Sequence, residues 1–198
     1  MTVAVVKLGV GNTASVMFAL ERLGAKAVLT DEARIIAECA RAILPGVGAA
    51  GFAMTMLAEK GLSRALLNFD RPLLGICLGQ QMLFDSSEEG DATGLGLFEG
   101  RVRRLKASRE APAPHVGWTR LRQTKESAMF EGVENGAYAY FTHSYICPLS
   151  EETAAAAAYG ETFSAAVVSG RVWGCQFHPE RSGLVGARIL ANFLAASC

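Results

Sequence analysis

Residues 71–81 read RPLLGICLGQQ, an apolar run that ends at a single cysteine, Cys77, with glycines close by on both sides. The run through Cys77 predicts a buried strand, and the residues that follow it (78–85) have helical apolar spacing. In a sheet of parallel strands, chemistry gathers at the carboxyl ends of the strands, where Cys77 is predicted to lie. Because cysteine is more often a packing residue than a nucleophile, the surrounding sequence has to decide between the two.

The flanking sequence alternates strands with helices. Strands are predicted at 2–8, 25–30 and 40–44, and helices from Asn12 to Gly24 and over 51–61. The later part has short β-rich segments, and a last helix is predicted over 182–197. This order predicts an α/β fold with a mostly parallel central sheet, flanking helices and extra β-rich segments in the C-terminal half. Without repeats or linkers, residues 1–198 are expected to form a single domain.

Composition excludes several classes of function. The 198 residues carry 19 Lys+Arg against 19 Asp+Glu, so charge gives no reason to expect nucleic acid or an anionic membrane as a partner. No apolar run is long enough to span a bilayer, and the N-terminus lacks the early cations of a secretory signal, which predicts a cytoplasmic protein. Five irregularly spaced cysteines, no CxxC pair and three separated histidines predict neither disulfides nor a metal site, and no cofactor is expected.

A second segment supplies what a reactive cysteine needs. A free thiol has a pKa of about 8.5, so a cysteine nucleophile requires a base at neutral pH. His178 lies in CQFHPE, where Pro179 favours an extended backbone at the residue before it. If the extension continues, the side chains of His178 and Glu180 project to the same side, as a base and the carboxylate that orients it. Glycines around Cys77 permit a sharp turn, and the next helix directs amides, first that of Leu78, towards the site.

A further glycine turn, PGVG at residues 45–48, also follows a predicted strand. Its backbone amides can approach a ligand closely, so it can supply a second oxyanion donor beside Leu78. The G-x-C-x-G pattern is also similar to the nucleophile elbow of α/β-hydrolases. There the acid precedes the histidine, whereas here Glu180 follows His178.

Taken in order, PGVG, GICLGQQ and QFHPE resemble the signature of class I glutamine amidotransferases. Three longer stretches resemble one branch of that family, the glutaminase subunits of imidazole glycerol phosphate synthases, and the likeness covers essentially the whole chain. These stretches are PHVGW (114–118), YFTHSY (140–145) and QFHPERSG (176–183).

The resemblance implies a flavodoxin-like fold and hydrolysis of L-glutamine to glutamate and ammonia through a cysteinyl thioester. It implies that Cys77 is the nucleophile, that His178 moves the protons and that Glu180 orients the imidazole. Oxyanion and substrate-binding roles are carried over by motif to Gly46, Val47, Gly48, Leu78, Gln81, His143, Ser144 and Tyr145.

The same resemblance implies a protein partner. In this branch ammonia passes to a cyclase subunit with a (β/α)8 barrel. That subunit makes imidazole glycerol phosphate and an aminoimidazole carboxamide ribotide by-product in histidine biosynthesis. The chain has no room for a barrel of about 250 residues, so a heterodimer with a separate cyclase is expected, with Asn12 and Arg181 at the interface.

Three positions depart from the branch pattern: Lys7-Leu8 replaces an acidic-aromatic pair, Thr119 an asparagine, and Arg181 a lysine. They put the choice of partner in question rather than the chemistry. Two other hypotheses stay open: an amidotransferase serving another acceptor, and a binding module without turnover. His115 and Trp118 also have two interpretations, a catalytic role or a tight turn beside a packed aromatic.

Overall fold

The structure, a computed structural model, describes residues 2–9, 13–46 and 48–197. Its strands and helices alternate through the first half, as the sequence predicts, and the second half is mostly strand. The strands are β1 (Thr2–Val6), β2 (Lys26–Thr30), β3 (Arg41–Gly46), β4 (Leu73–Cys77), β5 (Phe84–Ser87), β6 (Ala92–Thr93), β7 (Phe98–Arg104), β8 (His115–Arg120), β9 (Arg122–Gln123), β10 (Tyr138–His143), β11 (Tyr145–Ile146), β12 (Thr153–Tyr159), β13 (Glu161–Ser169) and β14 (Val172–Cys175). The helices are α1 (Thr13–Arg22), α2 (Ala33–Glu38), α3 (Ala50–Glu59), α4 (Leu62–Leu67), α5 (Leu78–Met82) and α6 (Gly183–Ala195), with 3₁₀ turns at Glu89–Asp91, Ala128–Phe130 and Pro179–Arg181.

One large sheet contains strands from both halves of the chain, in the order β2-β1-β3-β4-β14-β13-β12-β9. The first five strands of this order are parallel, and the last three pair antiparallel. The parallel part has the flavodoxin-like order, which confirms the predicted fold class. Two smaller sheets, β10-β8 and β11-β7-β5-β6, form the additional β-rich region.

The sheet is covered on both faces. Along β1, Val3 and Val5 belong to one apolar cluster while Ala4 and Val6 belong to the other, as expected when successive side chains point to opposite faces. The first cluster includes apolar residues of α1 and α6, and the second includes those of α3, α4 and α5. A parallel strand buried on both faces explains why 71–77 is a continuous apolar run.

Several predicted boundaries were wrong. The helix predicted over 78–85 ends at Met82, and residues 84–87 form strand β5 instead. Buried Leu83 and Phe84 gave a short apolar run that periodicity alone cannot assign to helix or strand. The six-residue helices α2 and α4 were not predicted, and the cap predicted at Asn12 lies outside the described residues.

Candidate active site

Cys77 forms the turn between β4 and α5 in a backbone conformation that side chains rarely adopt, with φ +55° and ψ −111°. The neighbouring glycines were expected to supply this turn, but the structure places the strained conformation on the cysteine itself. The glycines provide room instead. A Cβ atom on Gly79 would lie 1.8 Å from the carbonyl oxygen of Leu44, and one on Gly75 would lie 2.6 Å from the oxygen of Gly79. Helix α5 therefore sits directly against the ends of β3 and β4, with Gly46 paired in register with Cys77.

His178 reaches the same edge of the sheet because β14, which ends at Cys175, is the parallel neighbour of β4. Its Nδ1 lies 2.8 Å from Oε1 of Glu180. The extended backbone predicted through Glu180 is wrong, since His178 is extended but Pro179–Arg181 is a 3₁₀ turn. The turn is held by β10: the His178 amide donates to the Tyr140 carbonyl at 2.8 Å, and the Tyr140 amide donates to Oγ of Ser182 at 2.9 Å.

The charge on His178 is set by two opposing influences. Burial disfavours the imidazolium, but the nearby Cys77 and Glu180 outweigh it and raise the pKa of His178 above its ordinary value of 6.5. In the described part of the chain, Nε2 of His178 and Oε2 of Glu180 are buried without a hydrogen bond. Because Nδ1 is engaged by Glu180, Nε2 is the nitrogen left to exchange a proton with a sulfur or a substrate.

These side chains line one cavity of about 330 Å³. The cavity brings together residues from both halves of the chain that the motifs assigned to the site. They are Gly46, Gly48, Cys77, Leu78, Gln81, His143, Ser144, Tyr145, His178, Glu180 and Arg181. Asn12 and Val47 lie outside the described residues. Every described residue that the motifs assigned to the site therefore lines this one cavity, as predicted from the distant segments.

Other cysteines are poor candidates for chemistry. Cys39, Cys147 and Cys175 are buried free thiols, and burial raises the pKa of each, for Cys147 to about 12. Cys175 packs in the core, as predicted. Cys77 alone among the described cysteines lines the cavity.

A buried polar network that the sequence did not reveal lies behind the cavity. Gln81 donates from Nε2 to the Tyr145 carbonyl at 3.0 Å and to Oε1 of Gln176 at 2.9 Å. Nε2 of Gln176 in turn lies 3.7 Å from Sγ of Cys77. Gln176 is fully buried. A polar residue beside a predicted strand gives no signal that distinguishes this position from a solvent-facing one.

The network continues through two histidines. Nδ1 of His143 contacts the Tyr145 carbonyl at 2.9 Å, its Nε2 lies 3.0 Å from Nδ1 of His115, and Nε2 of His115 lies 2.9 Å from Oγ1 of Thr119. Burial lowers the pKa of His115 to about 4 and that of His143 to about 3. His115 lies on strand β8 rather than in the predicted tight turn, stacked on the aromatic ring of Tyr159 with ring centroids 3.9 Å apart, and it is not among the described residues that line the cavity. Trp118 is 53% exposed.

Glu89 lines the cavity and was not predicted from the sequence. Its Oε2 accepts from the amide of Ala50 at 2.8 Å, at the start of α3. An N-terminal capping acid has no distinctive sequence spacing when it comes from another loop, so no pattern could have identified it.

Two features are absent from the described residues. None of their helices has the length and apolar character needed to cross a membrane. Their His, Cys, Asp and Glu side chains form no cluster of three suited to a metal ion.

The fold and this cavity define a class: an α/β protein with a cysteine, a histidine and a carboxylate assembled at the carboxyl ends of parallel strands. Residues 6–196 match the model of the family Glutamine amidotransferase class-I, and the chain belongs to that family. The chain is 50% identical over 192 residues to "Imidazole glycerol phosphate synthase subunit HisH" of Xylella fastidiosa (strain Temecula1 / ATCC 700964), covering 97% of this chain and 96% of that protein. It is 47% identical over 195 residues to the protein of the same name from Xanthomonas axonopodis pv. citri (strain 306), covering 98% of each. A crystal structure of a glutamine amidotransferase shares the fold, with a TM-score of 0.75 and 22% identity over 98% of this chain and 97% of that one.

Proposed function

We propose that this protein is the glutaminase subunit of an imidazole glycerol phosphate synthase, in a cytoplasmic heterodimer with a (β/α)8-barrel cyclase. The observation that carries the proposal is the cavity that Cys77 shares with His178 and Glu180. Nδ1 of His178 and Oε1 of Glu180 lie 2.8 Å apart. Relatives at 47–50% identity over nearly the whole chain bear the name of that synthase's subunit. The central sheet uses strands from both ends of the chain, which supports treating 1–198 as one amidotransferase domain.

The chemistry follows from the protonation of the site. With its proton held on His178, the Cys77 sulfur attacks the side-chain amide carbon of glutamine. The carbon–nitrogen bond then breaks as His178 gives that proton to the leaving nitrogen, which yields ammonia and a thioester. Water next loses a proton to His178 and adds to the thioester. Cleavage of the carbon–sulfur bond releases glutamate, and the sulfur recovers its proton from His178.

Backbone and side-chain groups around the sulfur fit the remaining needs of the reaction. The amide of Leu78 follows the nucleophile, Gly46 pairs with Cys77 in the sheet register, and Gly46 and Gly48 line the cavity, so backbone amides of these residues are suited to receive a developing oxyanion. Gln81, Ser144 and Tyr145 border the substrate space. Glu89 supplies a negative charge there, which suits the α-ammonium group of glutamine.

Arg181, which lines the cavity, and two exposed apolar side chains are the features that support a protein partner. The guanidinium carbon of Arg181 lies 4.5 Å from the centre of the Tyr140 ring, and Trp118 meets that ring edge-on at 5.9 Å. The planar guanidinium of arginine can stack on an aromatic ring in a way that the ammonium group of lysine cannot. This contact explains why arginine replaces the usual lysine at position 181. The departure at Thr119 also has a local reason, because its hydroxyl bonds to His115. Phe18 on α1 and Leu184 on α6 are large apolar side chains that are 58% and 90% exposed, and a bound partner would remove them from water.

The deciding experiment pairs the protein with the candidate cyclase and compares glutamine with ammonium as the nitrogen donor. Cys77→Ser should abolish glutamine-dependent turnover while ammonium-dependent turnover of the complex stays at the wild-type level. Cys39→Ser, at a buried thiol outside the cavity, is the control and should keep both activities. Loss of both activities in Cys77→Ser would contradict the division of labour between subunits. Failure to form a complex with the cyclase would favour an amidotransferase with another acceptor, and an inert Cys77 towards a glutamine-mimicking electrophile in the complex would favour a binding module.

A further inference from the structure

Gln176 contacts two residues of the site, the nucleophile Cys77 and Gln81, which lines the cavity. It follows β14 directly, its amide donates to the Ala165 carbonyl at 2.8 Å, and its side chain is fully buried. The side-chain nitrogen lies 3.7 Å from Sγ of Cys77, and the side-chain oxygen accepts from Nε2 of Gln81 at 2.9 Å. A buried amide in this position has to satisfy both of its polar ends.

The orientation of the Gln176 amide follows from its neighbours. The Tyr145 carbonyl can only accept, so Gln81 must face it with its NH₂ group. The second N–H of Gln81 then requires an acceptor, which fixes the oxygen of Gln176 on that side and its nitrogen towards the sulfur. A flipped Gln176 would set two NH₂ groups against each other and turn a carbonyl towards the sulfur.

An independent chain of bonds ends on the same carbonyl. Because burial keeps His143 and His115 neutral, each ring has one donor and one acceptor. His143 must donate from Nδ1 to Tyr145, so its Nε2 accepts from Nδ1 of His115, whose Nε2 accepts from the Thr119 hydroxyl. The Tyr145 carbonyl is thus a fixed acceptor for two donors, and the direction of the bonds as far as Cys77 is determined.

We propose that Gln176 is a catalytic residue of the thiol chemistry, donating an N–H to the sulfur of Cys77 and orienting Gln81 towards the substrate. The proposal rests on the proposed glutaminase function and deepens it. A donor on sulfur favours the thiolate over the thiol, while the Thr142 carbonyl, 3.8 Å from Sγ, can accept only from the thiol form. With both N–H groups of Gln81 engaged by Tyr145 and Gln176, its side-chain oxygen is left to accept a hydrogen bond from a ligand in the cavity that Gln81 lines.

The test is the pH dependence of alkylation of Cys77 by iodoacetamide, measured on the full chain by mass spectrometry of the Cys77 peptide. Gln176→Met removes the donor at similar volume, and Gln176→Glu keeps the acceptor but places an acid beside the sulfur. We expect the midpoint of the alkylation profile to rise by about one pH unit in Gln176→Met, a loss of about tenfold in reactivity at neutral pH, and to rise further in Gln176→Glu. Circular dichroism shows whether each variant folds, and if one variant fails to fold the other still provides the test.

Gln80→Met is the matched control, because Gln80 is an equally buried amide on α5 that bonds to the Ser164 carbonyl at 3.1 Å. Its profile should keep the wild-type midpoint. An unchanged midpoint in the folded Gln176 variants would overturn the proposal, as would an equal rise in Gln80→Met, since loss of any buried amide would then suffice. Alkylation needs neither glutamine nor a partner, so a complex without glutamine-dependent turnover would count against the proposed function and leave this result standing.

Discussion

At the scale of single residues, the site contains two buried polar atoms without a hydrogen bond. Buried polar atoms in folded proteins are nearly always hydrogen-bonded. Here Nε2 of His178 and Oε2 of Glu180 are buried without a partner among the described residues, and both belong to the cavity. A reacting ligand could relieve these two atoms and the strained backbone of Cys77, whereas the other unpaired buried atoms of the described residues, on Arg71, Gln80, Arg103 and Ser150, lie outside the cavity.

Glu180→Gln tests how the imidazole is charged and held. The amide keeps an acceptor for Nδ1 but loses the negative charge, so the pKa of His178 falls and the ring delivers its proton less effectively. We expect kcat for glutamine to fall by about 100-fold with little change in KM, measured by steady-state kinetics of the complex. A wild-type kcat would show that Glu180 has no part in the chemistry.

Glu89→Gln tests the other cavity carboxylate. The amide oxygen can still accept from Ala50, so α3 keeps its N-terminal bond, but the attraction for an ammonium group is lost. We expect KM for glutamine to rise by about tenfold while kcat stays within a factor of about three. A fall in kcat at constant KM would instead indicate a role in the reaction, and would remove Glu89 from substrate binding.

At the scale of elements, the site depends on how closely α5 approaches β3 and β4. Gly79→Ala would bring a methyl group 1.8 Å from the Leu44 carbonyl, and since both sides are backbone the helix must shift. We expect a loss of at least about 3 kcal/mol in the free energy of unfolding, measured by urea denaturation. Gly51→Ala is the control, because its methyl would have 3.8 Å to the nearest atom and should cost nothing measurable. Equal stability of the two variants would mean that α5 is not fixed by this contact.

The same elements show what a sequence can predict. Parallel strands end at one edge, so the meeting of Cys77 with His178 followed from strand order and motif alone. The boundary between helix α5 and strand β5 at Leu83 could not be predicted in this way, because a short apolar run is compatible with either a helix or a strand. Gln176, Glu89 and the buried Arg41, which donates to the Phe193 carbonyl at 3.0 Å, could not be predicted either. Each is a polar residue whose partner comes from a distant segment, and local pattern carries no trace of such a partner.

At the scale of the whole molecule, two buried histidines make folding sensitive to acid. His115 and His143 have native pKa values of about 4 and about 3, against 6.5 when unfolded. Below pH 6.5 the unfolded chain therefore binds more protons than the native one. The free energy of unfolding decreases as the pH is lowered, until the pH reaches the native pKa values of the two histidines. His178 acts in the opposite sense. Its pKa is raised, so its stabilisation is already complete below 6.5 and changes little on further acidification. The carboxyl groups with lowered pKa values, Asp31, Glu152 and Glu161, lose their contribution only below about 4.5.

The window between pH 6.5 and pH 5 thus reports mainly on the histidine pair. We expect the free energy of unfolding in urea to fall by about 1.5 kcal/mol for each of the two residues over this range. In His115→Gln, which cannot titrate, roughly half of the loss should disappear, whatever the variant's stability at pH 6.5, because the measured quantity is the difference between the two pH values. An equal loss in the variant and the wild type would mean that His115 takes up its proton in the native state, and that the donor–acceptor order running from Thr119 to Tyr145 is not the one that the neutral rings impose.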